Sequence, residues 1–180
     1  MVKKKKKTKK AVMIIEGIVT ALKSENIYKR IPYESQRESN IQTSLDNALL
    51  NGLKEIIKQM EPHLRESTIL NKAKHSLFWE TDKSVTINNI IFLGTQHRPD
   101  FLVDIYGQRI GVEIKRGDDG SSIRDGIGQS IVYSTTYDFV VYLFIDITPD
   151  KKILHSYKGQ TEKDMVDSLW QNYNIRFDVV

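Results

Sequence analysis

The stretch HRPDFLVDIYGQRIGVEIKRG, residues 97–117, constrains the fold more than any other part of the chain. Apolar residues alternate with polar ones on both sides of a glycine, the period-2 pattern of two half-buried strands joined by a tight turn. With Gly107-Gln108 as a two-residue type II′ turn, which favours Gly first, Tyr106 pairs with Arg109 and the register follows by counting. Phe101 then faces Ile114, Val103 faces Val112 and Ile105 faces Ile110, so one side of the hairpin is wholly apolar and must be core. Directly opposed residues share a face. Asp100 with Lys115, Leu102 with Glu113, and Asp104 with Gly111 therefore occupy the other side, where Gly111 leaves room beside Asp104.

The flanking segments supply the layers that cover this hairpin. AVMIIEGIVTAL, residues 11–22, predicts a first helix; Glu16 interrupts its apolar run and no small-residue cleavage site follows, which argues against a signal peptide. RESNIQTSLDNALLNGLKEIIKQM predicts a second, with Ile41, Leu45, Leu49, Leu53, Ile56 and Met60 at helical spacing. Ser35-Gln-Arg-Glu38 has the form of a capping box, and Pro62 ends or kinks the helix before a short helical continuation over 63–75. SLFWETDKSVTINNIIFLG reads as two strands around a polar turn, the second over Val85–Leu93.

After the hairpin, GDDGSS forms a turn and SIRDGIGQSIVYS predicts a helix whose stripe is Ile123, Ile127 and Ile131. FVVYLFID is a continuous apolar strand, and a strand, helix, strand crossover makes its two strands parallel neighbours. TEKDMVDSLWQNY, from residue 161, should be a last helix, with NIRFDVV as an edge strand. The fold class is α/β (α+β) with a mixed sheet, and 180 residues suit one domain over 11–180.

Charge enters the argument through residues 3–10, KKKKKTKK, which hold seven of the 27 basic residues; the rest of the chain carries 20 against 23 acidic ones. Such a like-charge block predicts a disordered tail over 1–10. It is either a solubilising terminus or an arm, Lys3, Lys4, Lys5, Lys6, Lys7, Lys9 and Lys10, that raises affinity for nucleic acid by releasing counterions. The absence of cysteine excludes a disulfide framework, a thiolate metal site and a cysteine nucleophile, and fits an intracellular protein, cytoplasmic or nucleoid-associated. No apolar run approaches the roughly 20 residues that span a bilayer, so no membrane partner is expected.

The charged face of the hairpin carries the chemistry. Glu113 and Lys115 project in parallel, and Asp100 lies opposite or diagonal to both, within about 5 to 8 Å. Carboxylates so close repel unless a cation sits between them, and oxygen-only ligation suits Mg²⁺ or Mn²⁺. A neighbouring lysine can orient a water and offset negative charge building on a phosphate. The competing reading is an exposed sheet face with an ordinary Asp100–Lys115 surface pair; a crossover helix covering that face weighs against it.

Pro99-Asp100, twelve intervening residues, then Glu113-Ile114-Lys115 resembles the signature of the PD-(D/E)xK nuclease superfamily. Gln129-Ser-Ile-Val-Tyr133 resembles the QxxxY motif of its RecB-type, exonuclease-like branch. The resemblance implies a restriction-endonuclease-like αβββαβ core over about residues 38–146, a mixed central sheet flanked by helices. It implies metal-dependent hydrolysis of DNA, with RNA as an alternative substrate, by an endonuclease of junction-resolving, restriction or homing type or by an exonuclease. Asp100, Glu113 and the Ile114 carbonyl would hold the metal, Lys115 would activate water, and Gln129 and Tyr133 would complete the catalytic set.

The family also places an acid on the first core helix, where Asp46, among Leu49, Leu50, Leu53 and Ile57, and Glu38, the capping-box acid, are both candidates. Arg98, with His97, and Arg116 and Arg124 are candidates for phosphate contacts. Paired cuts on two strands would call for a homodimer. The alternative function is a non-catalytic nucleic-acid-binding protein on a nuclease-like fold.

Overall fold

A computed structural model describes residues 5–24, 38–79, 87 and 89–180. The chain runs α1 (Lys9–Leu22), α2 (Glu38–Met60), α3 (Glu66–Lys74), β1 (Leu77–Trp79), β2 (Ile90–Phe92), β3 (Thr95–His97), β4 (Phe101–Ile105) and β5 (Gln108–Gly117). It continues through α4 (Gly120–Tyr133), β6 (Phe139–Asp146), α5 (Lys152–Tyr157), α6 (Gln160–Tyr173) and β7 (Ile175–Val179). Five strands make one sheet in the order β1-β4-β5-β6-β7. The pairs β1/β4 and β4/β5 are antiparallel, β5/β6 and β6/β7 parallel. The fold is therefore mixed α/β: counting sheet strands from α2 to β6 gives helix, three antiparallel strands, helix and parallel strand. The strand expected over Val85–Leu93 is β2 at 90–92, and it pairs with β3 in a separate two-stranded ribbon rather than joining the sheet. Residues 80–86 and 88, Ser35 of the expected capping box, Lys3 and Lys4, and the side chain of Glu38 lie outside the described residues.

The hairpin register differs from the counted one by two residues. Phe101 pairs with Val112, Val103 with Ile110 and Ile105 with Gln108, which makes Tyr106-Gly107 the turn. Both turn residues have positive φ, 53° and 72°, so the turn is of the I′ kind, whose twist matches the flanking strands. Tyr106 tolerates this backbone in a set of contacts: its hydroxyl donates to Glu61 at 2.5 Å, and the Lys10 and Lys72 ammoniums sit 4.1 and 4.5 Å from its ring centroid. A slip of two residues preserves the pleat parity, so the division of side chains between faces survives. Gly111 does not leave open space, because the Tyr137 ring packs where its side chain would be.

One face of the sheet, Phe101, Val103, Ile105, Ile110, Val112, Ile114, Phe139, Val141, Leu143 and Ile145, forms one core with the apolar sides of α1, α2 and α3. The other, with Leu102, Val140, Tyr142, Phe144, Phe177 and Val179, packs beneath α4 and α6. The isoleucine stripe expected on α4 divides: Ile123 and Ile127 pack partly buried against this second core, Ile131 is exposed, and the most buried positions are Gly126, Ser130, Val132 and Tyr133. Gly126 sits against the Tyr142 ring, where any side chain would collide, and this close approach sets the line along which the helix meets the sheet.

The lysine block is structured from Lys5 onward rather than a disordered tail. The Thr8 side chain caps α1 by accepting from the Ala11 N–H, so Lys9 and Lys10 are helical. Lys5 donates to the Gly107 carbonyl and pairs with Asp138 at 2.9 Å, while Lys7 lies 5.0 Å from the Trp170 ring centroid. These contacts hold the block at the turn end of the β4–β5 hairpin.

Candidate functional site

Extending the observed register by one pair sets Asp100 directly across from Glu113, at the end of the hairpin far from its turn. Both acids are buried, 6% and 2% exposed, so each needs specific partners to remain in place. One Asp100 oxygen accepts the Ile114 N–H at 2.7 Å and the other accepts the side-chain amide of Gln42 on α2. Glu113 pairs with Lys115 at 2.9 Å.

The strand geometry also prepares a backbone ligand. The N–H and C=O of one strand residue point to the same side, so the Ile114 carbonyl faces β4 as its N–H does. The residue opposite it by register is Pro99, which has no N–H to donate, so the ladder stops there beside the two carboxylates.

Asp100, Glu113 and Lys115 line a polar cavity of about 390 Å³, together with Asn89, Gln96, His97, Arg98, Gln129 and Tyr133. The Tyr133 hydroxyl donates to the Arg98 carbonyl at 2.9 Å and so ties α4 to the segment entering β4. The Gln129 side-chain oxygen is buried and has no hydrogen-bond partner among the described residues. Asn89 donates to Gln96 at 3.0 Å, and the Thr95 hydroxyl lies 2.7 Å from the His97 ring.

Beneath α4, burial and then the charges of Glu113 and Asp125 push the Tyr142 phenol well above its usual range. At the start of α4, hydrogen bonds from Ser122 and Ser121 hold the capping Asp119 down at about 2.

The other candidates lie elsewhere. Asp46 is half-buried, with its pKa raised by burial, and does not line the cavity; Gln42, one turn earlier on the same helix face, reaches Asp100 instead. Arg116 alternates onto the face of Ile114, and Arg124 is exposed on α4; neither lines the cavity. Lys5, Lys6, Lys7, Lys9 and Lys10 sit toward the turn, about six strand residues or roughly 20 Å from Asp100. Asp104 is exposed and pairs in register with Arg109. Gln42, Asn89 and Gln96 were not anticipated. Gln42 left a signal as a polar residue between Ile41 and Leu45 on a buried stripe; Asn89 and Gln96 left none.

The donor set suits a hard divalent cation in kind: two carboxylates, a backbone carbonyl and an unpartnered amide oxygen, without sulfur. Among the described residues no group of three or more His, Cys, Asp and Glu forms a ready-made metal cage. Mg²⁺ is commonly held by one or two carboxylates plus substrate phosphates, so two acids suffice for that mode.

No family model matches the chain, and no curated protein does. Among solved structures the chain is similar to a complex of the restriction endonuclease PspGI with its substrate DNA, at 17% identity over 91% of this chain and 86% of that one, with a TM-score of 0.26.

Proposed function

We propose that the chain is a metal-dependent nuclease that hydrolyses phosphodiester bonds of DNA in the cavity at Asp100, Glu113 and Lys115. The observation that carries this reading is the burial of two carboxylates, Asp100 and Glu113, on one sheet face with the partly exposed Lys115 paired to one of them. A surface ion pair has no need of such burial, whereas a site that must bind a cation and a phosphate has. Asp100, Glu113 and the Ile114 carbonyl would hold Mg²⁺ or Mn²⁺, which supplies polarisation of the phosphoryl oxygen and a water of lowered pKa. Lys115, fixed by Glu113, orients the attacking water and offsets charge growing on the phosphate. Gln129 offers its unpartnered oxygen to that water, Tyr133 fixes the backbone of Arg98, and the Arg98 side chain receives a phosphate at the rim.

The test is cleavage of supercoiled, linear, single-stranded and branched DNA, and of RNA, with Mg²⁺, with Mn²⁺ and in EDTA. Metal-dependent cutting that Lys115→Ala abolishes supports the reading, and the product ends separate endonuclease from exonuclease. Binding without cutting on every substrate would favour the non-catalytic nucleic-acid-binding protein instead. Cutting undiminished by Lys115→Ala would remove Lys115 from the mechanism. Sedimentation of the protein with and without DNA tests the homodimer.

A further inference from the structure

The β2–β3 ribbon stands off the main sheet and ends in an apolar tip. Ile91, Phe92 and Leu93 are 73%, 50% and 87% exposed, three consecutive apolar side chains in water. Leu93 and Gly94 form its turn with φ of 49° and 78°, a geometry that favours Asn-Gly. A leucine is therefore held in left-handed backbone, against local preference and without burial in return. The tip is braced: the Thr95 hydroxyl donates to the Phe92 carbonyl at 2.7 Å, and the Phe92 ring meets His97 edge-on at 6.4 Å. The opposite end of the same ribbon belongs to the cavity, since Asn89, Gln96 and His97 line it.

We propose that this tip is a wedge that enters duplex DNA beside the phosphodiester in the cavity and unstacks a base step. The proposal rests on the nuclease reading and deepens it by naming the substrate as a duplex whose bases part close to the scissile bond. A two-stranded ribbon is one of the elements the major groove admits. Exposed Phe and Leu are side-chain types that proteins insert between base steps. Three strand residues span about 10 Å, close to three base-pair rises, so the parted step lies about three base pairs from the cut. Contact through ring faces and apolar edges is indifferent to base identity, so any preference should follow deformable pyrimidine–purine steps.

The experiment uses the full chain carrying Ile91→Thr, Phe92→Thr and Leu93→Asn, which keeps strand-forming residues and gives the turn its favoured Asn-Gly. The probe is duplex DNA with 2-aminopurine placed at one position at a time, bound in EDTA so that unstacking is read without cutting. The wild type should raise fluorescence several-fold at a position about three base pairs from the mapped cut, and the variant should not. With Mg²⁺ the variant should cut duplex at least about tenfold more slowly, and a mismatch at the parted step should restore its rate to within about threefold. A fluorescence rise kept by the variant, or duplex cleavage unchanged by it, overturns the wedge. So does a variant that only shifts sedimentation from dimer to monomer, which would make the tip an interface between copies. Cleavage by the wild type without any fluorescence change defeats the wedge alone, whereas no binding and no cleavage defeats the nuclease reading with it.

Discussion

The two faces of the β4–β5 hairpin share one backbone and similar burial, yet they are held in place by different physics. On the first face Phe101, Val103, Ile105, Ile110, Val112 and Ile114 are at most 3% exposed, and each gains by leaving water, about 25 cal/mol per Å². On the second, Asp100 and Glu113 are nearly as buried and lose by it, and they are held by polar partners that include Ile114, Gln42 and Lys115. The first face asks for shape and volume, so many apolar residues would serve. The second asks for particular functional groups, and their retention in a core is what needs a chemical reason.

Substitutions that strike one face and spare the other test that division. Phe101→Ala should have the largest effect, a loss of about 3–5 kcal/mol of stability from the missing ring and the cavity it leaves. Against a typical total of about 5–15 kcal/mol this moves the denaturation midpoint far, and a loss below about 1 kcal/mol would mean that the first face is not the core. Glu113→Gln should do the reverse. It removes a buried charge while keeping the shape, and Lys115 remains partly exposed rather than stranded, so stability should stay within about 1 kcal/mol. Metal-dependent cleavage should nevertheless fall at least about 100-fold, equivalent to about 2.7 kcal/mol of barrier. A Glu113→Gln protein as unstable as Phe101→Ala would make the second face structural too.

The division of faces was legible in the sequence because it depends on parity alone. Reading the turn at Gly107-Gln108 instead of Tyr106-Gly107 displaced every pair by two and left Asp100, Glu113 and Lys115 together. The error came from expecting a glycine first, when Tyr106 is carried in positive φ by Glu61, Lys10 and Lys72, partners distant in sequence. The lysine block was misread for a related reason: charge density argues for disorder, but Asp138, the Gly107 carbonyl and Trp170 come together only in the folded chain. Asp46 and Glu38 are the candidates the sequence offers on this helix because the resemblance calls for an acid there, whereas the side chain that reaches Asp100 is Gln42. The buried end of the stripe needed a donor for a carboxylate, which a second acid could not supply.

The α4 helix marks the limit of periodicity as a guide. Its isoleucines fix the helical pattern, but Gly126 against Tyr142 fixes which side faces the sheet and so brings Gln129 and Tyr133 to the cavity. Gly126→Ala should cost about 2 kcal/mol by overpacking, even though alanine favours helix, and should lift α4 from the second face. Cleavage should fall with stability, and intrinsic Tyr fluorescence at low denaturant should report the displaced Tyr142. A stabilised variant with full activity would show that the close approach is not needed to build the site.

The smallest expected effect separates two buried carboxylates on the same face. Asp146, at the end of β6, accepts from the Thr148 N–H and hydroxyl at 2.8 and 2.6 Å and from the Leu154 N–H at 2.9 Å. Burial alone would raise its pKa, but these bonds and the Lys151 charge outweigh it, and the group lies below its ordinary 3.8. As pH falls, the unfolded chain then takes up this proton before the folded one does. The stability Asp146 contributes is thus complete above the ordinary value and is lost as pH drops through the folded-state value. Asp146→Asn should cost about 1 kcal/mol at neutral pH and flatten the fall in denaturation midpoint between about pH 5 and pH 2. Metal-dependent cleavage should be unchanged, in contrast to Glu113→Gln, because the partners of Asp146 are the backbone and hydroxyl of the loop it shapes. If the acid limb of the stability curve stays as steep in Asp146→Asn as in the wild type, that limb belongs to other carboxylates.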